Sequence, residues 1–447
     1  MPRVESDARP RVLLLMPTTS YKAQAFLDAA RSLGVDVVIG TERRQALETV
    51  LPGHSLTIDL RRPERTVRAI AALAARRPLR AIVGTDDETS VLAARASSAL
   101  GLPHNPPEAV LAARDKHAMR TRLAEAGLAG PAFRLLSVHA DAATAARRAR
   151  YPCVLKPLGL SASRGVIRAD DAAAFVAAFR RIGRILRARP VRLKADVDTR
   201  HLLVEEYMPG EEVAVEGLLD AGDLHVLAVF DKPDPLVGPY FAETIYVTPS
   251  RQPAAVRRSI ARETERACRA LGLSEGPVHA ELRIDRRAVR VVEVAARTIG
   301  GLCSRVLRFG AGISLEEVVL RHALGLGTTG LARERAAAGV MMLPIPRAGV
   351  LRAVTGIDAA RQVRGIVDVA LTIPRGAEVV PPPEGDRYLG FLFARRATAS
   401  GVEAALRRAH RRLTIEIEAK PPLRTPKRRV GDPPDPRGAR LSRTTAR

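Results

Sequence analysis

The chain has few aromatic residues and few cysteines. Its 447 residues include no tryptophan, and aromatic residues make up only 3%. Proteins that bind single-stranded nucleic acids stack bases on aromatic rings, so this composition argues against such a platform. The three cysteines, Cys153, Cys268 and Cys303, are odd in number and lack the close spacing of a zinc motif or a disulfide framework. We expect them to be reduced, ordinary thiols.

Long hydrophobic runs are also missing. No segment reaches about 18 uninterrupted apolar residues, the length that a membrane-spanning helix needs. The first residues, MPRVESDARP, are charged and contain proline, unlike the apolar core and small-residue cleavage site of a secretory signal. We therefore expect a cytoplasmic protein with no membrane partner.

Positive charge is in excess, with 72 Lys and Arg against 48 Asp and Glu and a formal net charge of +24. An excess of this size can mark a nucleic-acid partner. The arginines, however, are scattered along predicted helices, as in ERTVRAIAALAARR, instead of forming one basic stripe. We interpret the charge as a composition bias that favours anionic small molecules, and expect no nucleic-acid partner.

The first hundred residues alternate predicted strands and helices. Arg11 to Met16 is an apolar run typical of a strand, KAQAFLDAARSLG has helical spacing and stops at Gly34, and DVVIG is a second strand. A helix from Glu64, the strand RAIVG and a helix from Glu88 to Leu100 follow. The pattern predicts a parallel sheet with helices on its faces.

Composition shifts divide the chain into four parts. The prolines of GLPHNPPEA end an N-terminal α/β domain at residues 1–104. Residues 105–330 mix helices with hairpins and contain nearly all the candidate chemistry. Residues 336–419 form a small α+β unit, so the fold class is α/β (α+β). Residues 420–447 are basic, proline-rich and without apolar periodicity, which predicts a disordered tail.

The segment YPCVLKPLGLSASRGV combines an apolar strand carrying Lys156 with a loop of small residues. The backbone N–H groups of such a loop approach phosphate oxygens closely, and a lysine supplies a compact positive charge. No Gly-Lys-Ser/Thr follows, so the segment is not a Walker loop, and it is either a phosphate-binding loop or an ordinary surface loop. The loop residues concerned are Gly159, Ser161, Ser163, Gly165 and Val166.

Carboxylates flank a turn in LLVEEYMPGEEVAVEG, where Glu205 and Glu206 end one strand and Glu212 begins the next. Carboxylates accept hydrogen bonds from ribose hydroxyls, and an adenine is bound by backbone groups beside an apolar wall. The alternative interpretation is a solvated hairpin with a charged turn.

GPVHAELRIDRRAVRVVEVAARTIGG predicts a hairpin whose turn lies near Arg287, with Glu281 opposite Glu293 and their Cβ atoms about 5 Å apart. Two carboxylates so placed repel each other unless a cation lies between them, and Mg²⁺ prefers carboxylate oxygens together with nucleotide phosphates. The alternative is a surface ladder in which Arg283 and Arg297 neutralise both glutamates. The alternation places on one face Leu282, Ile284, Val292 and Val294, and on the other His279, Glu281, Arg283, Val291 and Glu293.

The order of these motifs resembles the ATP-grasp ligases and, within them, the L-amino acid ligase group that joins amino acids into dipeptides. The resemblance covers the layout from Arg11 to Ile417. It implies an ATP-grasp fold whose central ATP-binding domain, residues 105–330, has two lobes, with a lid subdomain at about 130–208. It implies that Lys116, in RDKHAMRTRLAEAGLAGPAF, and Lys156 touch the nucleotide phosphates. The Gly159–Val166 loop corresponds to the flap over the triphosphate.

The resemblance also assigns the nucleotide's other contacts. Glu205 corresponds to the adenine-side glutamate and Glu212 to the ribose-side glutamate. Between them, Glu206, Tyr207 and Met208 correspond to the hinge against the base.

For the reaction centre, the resemblance makes Glu281 and Glu293 the paired ligands of Mg²⁺, which Mn²⁺ can replace. Arg297 corresponds to the catalytic arginine that holds the transferring phosphate and the tetrahedral intermediate, and Lys156 assists it. The substrate contacts that it implies are Glu243, Tyr246, Gly300 and Gly301.

Two positions depart from the family pattern. Many ATP-grasp proteins have Asn two residues after the second metal glutamate, where this chain has Ala295, so one metal ligand is missing or supplied elsewhere. Tyr246 stands where related ligases often have a histidine near the substrate. Both changes concern the geometry of metal and substrate.

The function implied by the resemblance is ATP-dependent, ADP-forming activation of a small-molecule carboxylate as an acyl phosphate, captured by an amine. A homodimer is compatible with it. One alternative is a biotin-carboxylase-like enzyme that activates bicarbonate, which needs a separate carrier because the chain has no Met-Lys-Met sequence. The other is an inactive ATP-fold protein that binds nucleic acid or an acidic partner through its basic tail.

Overall fold

The computed structural model describes residues 9–43, 53–192, 197–286, 288–328 and 330–419. Within these ranges the strands form four sheets. None of the helices there has both the length and the hydropathy to cross a bilayer. The predicted tail at 420–447 lies outside the described residues.

The N-terminal part forms the predicted parallel sheet, in the order β3-β2-β1-β4, with β3 as a strand that the sequence analysis did not predict. Strand β1 is buried along its whole length, as expected for a parallel strand covered on both faces. Val12 and Leu14 pack towards Phe26, whereas Leu13 and Leu15 pack towards the opposite layer. The elements are β1 (Arg11–Leu15), α1 (Ala23–Ser32), β2 (Asp36–Thr41), β3 (Ser55–Thr57), α2 (Pro63–Arg76), β4 (Ala81–Gly84) and α3 (Asp87–Ala99).

Two helices, α4 (Pro107–Arg114) and α5 (Lys116–Glu125), lead into a second, antiparallel sheet in the order β5-β8-β6-β7. This lid sheet places Lys156 and Glu205 on neighbouring strands. Its elements are β5 (Phe133–Ser137), α6 (Ala142–Arg147), β6 (Cys153–Pro157), β7 (Ile167–Ala169), α7 (Ala172–Arg187), α8 (Arg189–Arg192) and β8 (His201–Glu206).

The third sheet has eight strands in the order β13-β12-β9-β10-β11-β14-β18-β16. Strands from the predicted central and C-terminal units pair in it without a break, because β11 pairs with β14. Its central-unit elements, with two helices, are β9 (Glu211–Asp220), β10 (Asp223–Asp231), β11 (Ile245–Thr248), α9 (Ala254–Leu271), β12 (Gly276–Asp285), β13 (Ala288–Ala295) and α10 (Leu315–Ala323).

The C-terminal unit adds three strands to the large sheet and forms a small sheet of its own, in the order β17-β15-β19. Helix α12 packs on β14 and β18, so one apolar core joins the two sheets. The elements are β14 (Ala337–Leu343), β15 (Gly349–Thr355), α11 (Ile357–Arg361), β16 (Ile366–Leu371), β17 (Glu378–Val379), β18 (Gly390–Arg396), α12 (Ala399–His410) and β19 (Thr414–Glu418).

The hairpin of β12 and β13 pairs Glu281 directly with Glu293, which confirms the predicted register at that point. A β-bulge follows, so that Leu282 pairs with Val291. Val291 is therefore buried in the core with Leu282, whereas Val292 borders the cavity described below. The predicted faces of the two valines were wrong, because a bulge inserts one extra residue and reverses the alternation beyond it.

Candidate functional site

A cavity of about 760 Å³ lies between the N-terminal sheet, the lid sheet and the large sheet. Its size falls within the range of roughly 300 to 1,000 Å³ that small-molecule sites occupy. The predicted site residues that line it are Lys116, Lys156, Ser161, Ser163, Val166, Glu205, Glu206, Tyr207, Met208, Glu212, Glu243, Tyr246, Glu281, Glu293, Arg297, Gly300 and Gly301. Residues far apart in sequence thus meet at one place.

Lys156 on β6 and Glu205 on β8 form a buried ion pair at the cavity wall. Lys156 Nζ lies 2.5 Å from Glu205 Oε2, and Arg120 Nε donates to Glu205 Oε1 at 2.5 Å. Burial raises the pKa of Glu205, but the two cations outweigh it and lower the pKa to about 2. Burial lowers the pKa of Lys156. Glu205 is only 2% exposed, so the solvated-hairpin alternative is wrong for it.

Lys116 lies near both the small-residue loop and the carboxylate pair. Helix α5 begins here because the Asp115 side chain accepts hydrogen bonds from the backbone N–H groups of residues 117 and 118. Lys116 Nζ donates to the Leu160 carbonyl at 2.8 Å and lies 3.6 Å from Glu293 Oε1. The cation is therefore next to the loop that was predicted to bind phosphate.

The loop after Lys156 turns sharply over the cavity. Ala162 and Ser163 have φ values of 55° and 54°, and Gly165 has a φ of 73°. A Cβ at Gly165 would come within 2.6 Å of Pro157, so a larger residue does not fit there. Gly165 was a predicted nucleotide contact, but its N–H donates to the Pro383 carbonyl at 2.8 Å. Gly159 lines a smaller recess beside Lys116.

The C-terminal unit holds the lid through charged contacts. Arg181 of α7 donates to both carboxylate oxygens of Glu384, at 2.6 and 2.8 Å. Arg164, in the loop itself, donates to Asp386 at 2.9 Å. Together with the Gly165 contact, these bonds close the loop over the cavity.

Lys232, which the sequence analysis missed, lies at the centre of three carboxylates. It directly follows β10, and its Nζ lies 2.7 Å from Glu212, 2.8 Å from Glu243 and 2.9 Å from Glu281. Burial lowers the pKa of Lys232, but the three glutamates raise it well above its usual value. The only sequence signal was its place in FDKPDP, directly after an apolar strand and before a proline-rich turn.

Glu243 is held by donors from two parts of the fold. Tyr246 of β11 donates to one carboxylate oxygen, and Tyr388, just before β18, donates to the other at 3.0 Å. Burial raises the pKa of Glu243, although Lys232 opposes that rise. Tyr388 was also missed by the sequence analysis, because nothing near it in the sequence points to a site.

The hairpin carboxylates are balanced by lysines and a histidine. Burial raises the pKa of Glu281, but Lys232 and His279 outweigh it, and the pKa is lowered well below its usual value. Glu293 lies beside Lys116. The alternative in which Arg283 and Arg297 neutralise this pair is wrong, since their carboxylate partners are Glu212, at 3.0 Å, and Asp87.

The donor set fits a divalent cation at Glu281 and Glu293, because two paired carboxylates face the cavity and Mg²⁺ prefers such oxygens. Ala295 lines the same wall with a methyl group and supplies no ligand. A second set of carboxylate oxygens, from Glu212, Glu243 and Glu281, lies within 4.8 Å of one another. The ammonium group of Lys232 fills the centre of that set.

Arg297, just after β13, is clamped by the N-terminal domain. Its Nε and Nη2 donate to the two carboxylate oxygens of Asp87, at 2.8 and 2.9 Å. Burial raises the pKa of Asp87, but Arg297 outweighs it and lowers the pKa to about 2. Beside this pair, Lys22 Nζ donates to the carbonyls of Thr85 and Thr298, at 2.8 and 3.1 Å.

An aromatic wall lies at the other end of the cavity, where Tyr207 and Phe241 stack with ring centroids 6.4 Å apart. Arg283 donates to the Met208 carbonyl at 2.7 Å and lies over the Tyr207 ring. Glu206 pairs with the exposed Arg150 at 3.2 Å. The wall is apolar and has backbone groups nearby, as a purine site requires.

Gly300 and Gly301 line the cavity, and Gly301 lies beside the ring of Phe391. Gly301 has a φ of 60°, and a Cβ there would lie 3.0 Å from that ring. Cys303 also lines the cavity. All three cysteines are free and buried, and burial raises their pKa values, to about 11 for Cys153 and about 12 for Cys268. All three are therefore reduced thiols, as expected.

Comparison with protein families matches three segments of the chain. An ATP-grasp N-terminal domain matches residues 27–104, an ATP-grasp domain matches residues 149–306, and L-amino acid ligase C-terminal domain 2 matches residues 341–418. Along the chain, the first segment falls in the N-terminal sheet, the second in the lid sheet and the large sheet, and the third in the C-terminal unit. They confirm the family resemblance and the predicted fold.

Curated relatives include an alanine–anticapsin ligase of Bacillus subtilis, 26% identical over 270 residues, which are 58% of this chain and 56% of that protein. Carnosine synthase 1 of Gallus gallus is 31% identical over 341 residues, 72% of this chain and 36% of the synthase. The chain spans about half the length of the alanine–anticapsin ligases that it matches.

Solved structures share the fold at lower sequence identity. The L-amino acid ligase from Bacillus licheniformis superposes with a TM-score of 0.76 at 24% identity, over 92% of this chain and 100% of that chain. The N5-carboxyaminoimidazole ribonucleotide synthetase from Thermotoga maritima gives 0.64 at 15% identity, over 91% and 99%. These similarities establish the architecture.

Proposed function

Because this chain belongs to the ATP-grasp superfamily, we propose that it is an ATP-dependent ligase that joins a carboxylate to an amine and releases ADP and phosphate. The observation that carries the proposal is the meeting, in one cavity, of the cations Lys116 and Lys156 with the carboxylate pair Glu281 and Glu293. Such a set neutralises a triphosphate and orients it, which is most of what phosphoryl transfer requires of a protein.

The nucleotide would lie with its base against Tyr207, Met208 and Phe241, and with its phosphates under the small-residue loop. Lys116 and Lys156 would bind the phosphates. Glu212 would accept from the ribose hydroxyls with the lone pairs that Lys232 and Arg283 do not use. Glu205 positions Lys156, because its carboxylate is engaged by two cations. Mg²⁺ at Glu281 and Glu293, or Mn²⁺ in its place, would supply positive charge to the transferring phosphoryl group.

In the proposed reaction, a carboxylate oxygen attacks the γ-phosphorus and the bond to the β,γ-bridging oxygen breaks, giving ADP and an acyl phosphate. The amine then attacks the acyl carbon, phosphate leaves, and the amine loses a proton to water. Arg297 stabilises the charge on the transferring group. The loop that Gly165 and Arg164 hold closed excludes water from the acyl phosphate.

Amino acids are the proposed substrates, because residues 341–418 match L-amino acid ligase C-terminal domain 2. That region contributes Tyr388, which holds Glu243 at the cavity wall. A carboxylate held in this way can accept a hydrogen bond from a substrate ammonium group. The cytoplasmic location and the homodimer stay predictions.

The test is release of ADP and phosphate from Mg-ATP in the presence of pooled amino acids, measured pool by pool. Stimulation by particular amino acids, with ADP and not AMP as product and a new amide in the mass spectrum, is the expected outcome. ATP binding with stimulation only by bicarbonate would point to the carboxylase alternative. A protein that binds no ATP would contradict the proposal altogether.

A further inference from the structure

The side chain of Arg297 is bound along one edge and open along the other. Its Nε and Nη2 donate to Asp87, and its Nη1 donates to the Thr298 carbonyl at 3.0 Å. A guanidinium has five N–H donors, so two remain, one on each terminal nitrogen, without a partner among the residues that the structure describes. Arg297 borders the cavity, where those two donors can receive an anion.

We infer that Asp87, contributed by the N-terminal domain, is the positioning residue that orients Arg297 for the transferring phosphoryl group. The inference rests on the proposed function. An arginine has several rotatable bonds, and a bidentate carboxylate removes that freedom while fixing the plane of the guanidinium. Asp87 lines the cavity but acts through Arg297.

Asp87 is itself held rigidly. It is the first residue of α3, and the preceding Asp86 accepts hydrogen bonds from the hydroxyls of Ser20 and Thr85, at 2.7 and 2.6 Å. Lys22 joins the same loop to Thr298, next to Arg297 in the chain. The orienting carboxylate therefore belongs to a connected set of bonds that reaches from the N-terminal sheet to the end of β13.

The negative charge of Asp87 distinguishes the positioning of Arg297 from a role in binding ATP. A carboxylate beside a phosphate site repels the anion, so Asp87 does not strengthen the binding of ATP. Its contribution is to hold Arg297 where negative charge develops during transfer. Loss of Asp87 is therefore expected to lower turnover while leaving nucleotide affinity unchanged or improved, which general loosening of the domain would not produce.

The kinetic test compares Asp87→Asn with Lys22→Met and Glu64→Gln. Asp87→Asn removes the charge at nearly constant shape, and we expect kcat to fall by about 100-fold, as for a misplaced reacting group, with KM for ATP equal or lower. Lys22→Met weakens the same domain contact but keeps the Asp87–Arg297 pair, and its kcat is expected to fall much less. Glu64→Gln breaks an exposed pair with Arg95, 3.1 Å long and outside the cavity, as the control.

A double-mutant cycle with Arg297→Ala completes the kinetic test. If Asp87 acts through Arg297, adding Asp87→Asn to Arg297→Ala costs little further activity. Independent losses that multiply would overturn the inference. Equal loss of kcat in Asp87→Asn and Lys22→Met would overturn it too, because domain packing alone would then explain the effect.

A spectroscopic readout keeps the inference testable without turnover. The Nε–H proton of Arg297 is held by Asp87, so its NMR signal, identified by its loss in Arg297→Lys, is expected in wild type and in Lys22→Met but not in Asp87→Ala, which removes the acceptor. A signal that persists in Asp87→Ala would overturn the inference. Wild-type protein that shows the signal but no ligase activity would overturn the proposed function alone.

Discussion

Lys232 Nζ lies 2.9 Å from Glu281 Oε1, so one of the two proposed metal ligands is already paired with a cation of the protein. The same ammonium group contacts Glu212 and Glu243. Three carboxylates this close together require a compensating charge when they are buried, and Lys232 provides it. Lys232, Tyr246 and His279 all approach Glu281 through Oε1, which leaves Oε2 for the proposed metal ion.

Replacing Lys232 by methionine tests this distribution of charge. Lys232→Met removes the one cation that contacts all three carboxylates, whose oxygens lie within 4.8 Å of one another, so we expect the variant to bind Mn²⁺ without nucleotide, detected by electron paramagnetic resonance. Wild type and Lys232→Arg should bind little under the same conditions. A folded Lys232→Met protein that takes up no more Mn²⁺ than wild type would contradict the interpretation.

Lys156→Ala is expected to weaken ATP binding by at least 10-fold in equilibrium titrations, because it removes a buried cation from the proposed phosphate site. The control is Arg147→Ala, which removes an exposed cation on α6 of the same lid that bonds Thr144. Unchanged ATP affinity in Lys156→Ala would refute the assignment of this lysine to the phosphates.

Acid should selectively remove the stabilisation that Glu205 provides. Its pKa is about 2 in the folded protein against a usual 4.5, so its contribution is present above about pH 4.5 and is lost as the pH falls towards 2. The shift corresponds to about 3 kcal/mol of unfolding free energy. Denaturant titrations should show Glu205→Gln less stable than wild type at pH 7, with the difference shrinking towards pH 3. A difference independent of pH would argue against an ionised Glu205.

The contact between Arg181 and Glu384 should govern how well the lid excludes water. Arg181→Glu places two carboxylates together, and we expect more ATP hydrolysis per amide formed, because the acyl phosphate becomes exposed. The exchanged pair, Arg181→Glu with Glu384→Arg, should restore coupling. Product ratios measured by chromatography check both variants, and unchanged coupling in Arg181→Glu would show that this contact does not keep the lid closed.

Local sequence patterns were sufficient for three of the four strands of the parallel N-terminal sheet and for the Glu281–Glu293 register, but they missed β3. Both depend on alternation over short stretches, in which burial of each side chain follows from its place in the strand. The pattern failed at Val292, because the bulge beside Glu281 depends on how β13 fits its partner strand and leaves no mark in the hydrophobic period.

The family motifs identified Lys116, Lys156, Arg297 and the hairpin carboxylates, and the cavity brings them together. They did not reveal Asp87, which is 210 positions from Arg297 in the chain. Nor did they reveal Arg120, although it lies one helical turn after Lys116. Partners of this kind cannot be predicted from spacing, because their contact depends on how separate sheets dock.

The sequence by itself determined the elements, the family and the residue types that can handle a phosphate, since these follow from periodicity and short motifs. Only the tertiary structure decided which charge meets which. In the folded protein, Glu205 pairs with Lys156 and Arg120, and Asp87 pairs with Arg297. Lys232 pairs with Glu212, Glu243 and Glu281. The physical reason is that a buried charge needs a partner at hydrogen-bond distance, and docking of the sheets selects that partner from residues far away in the chain.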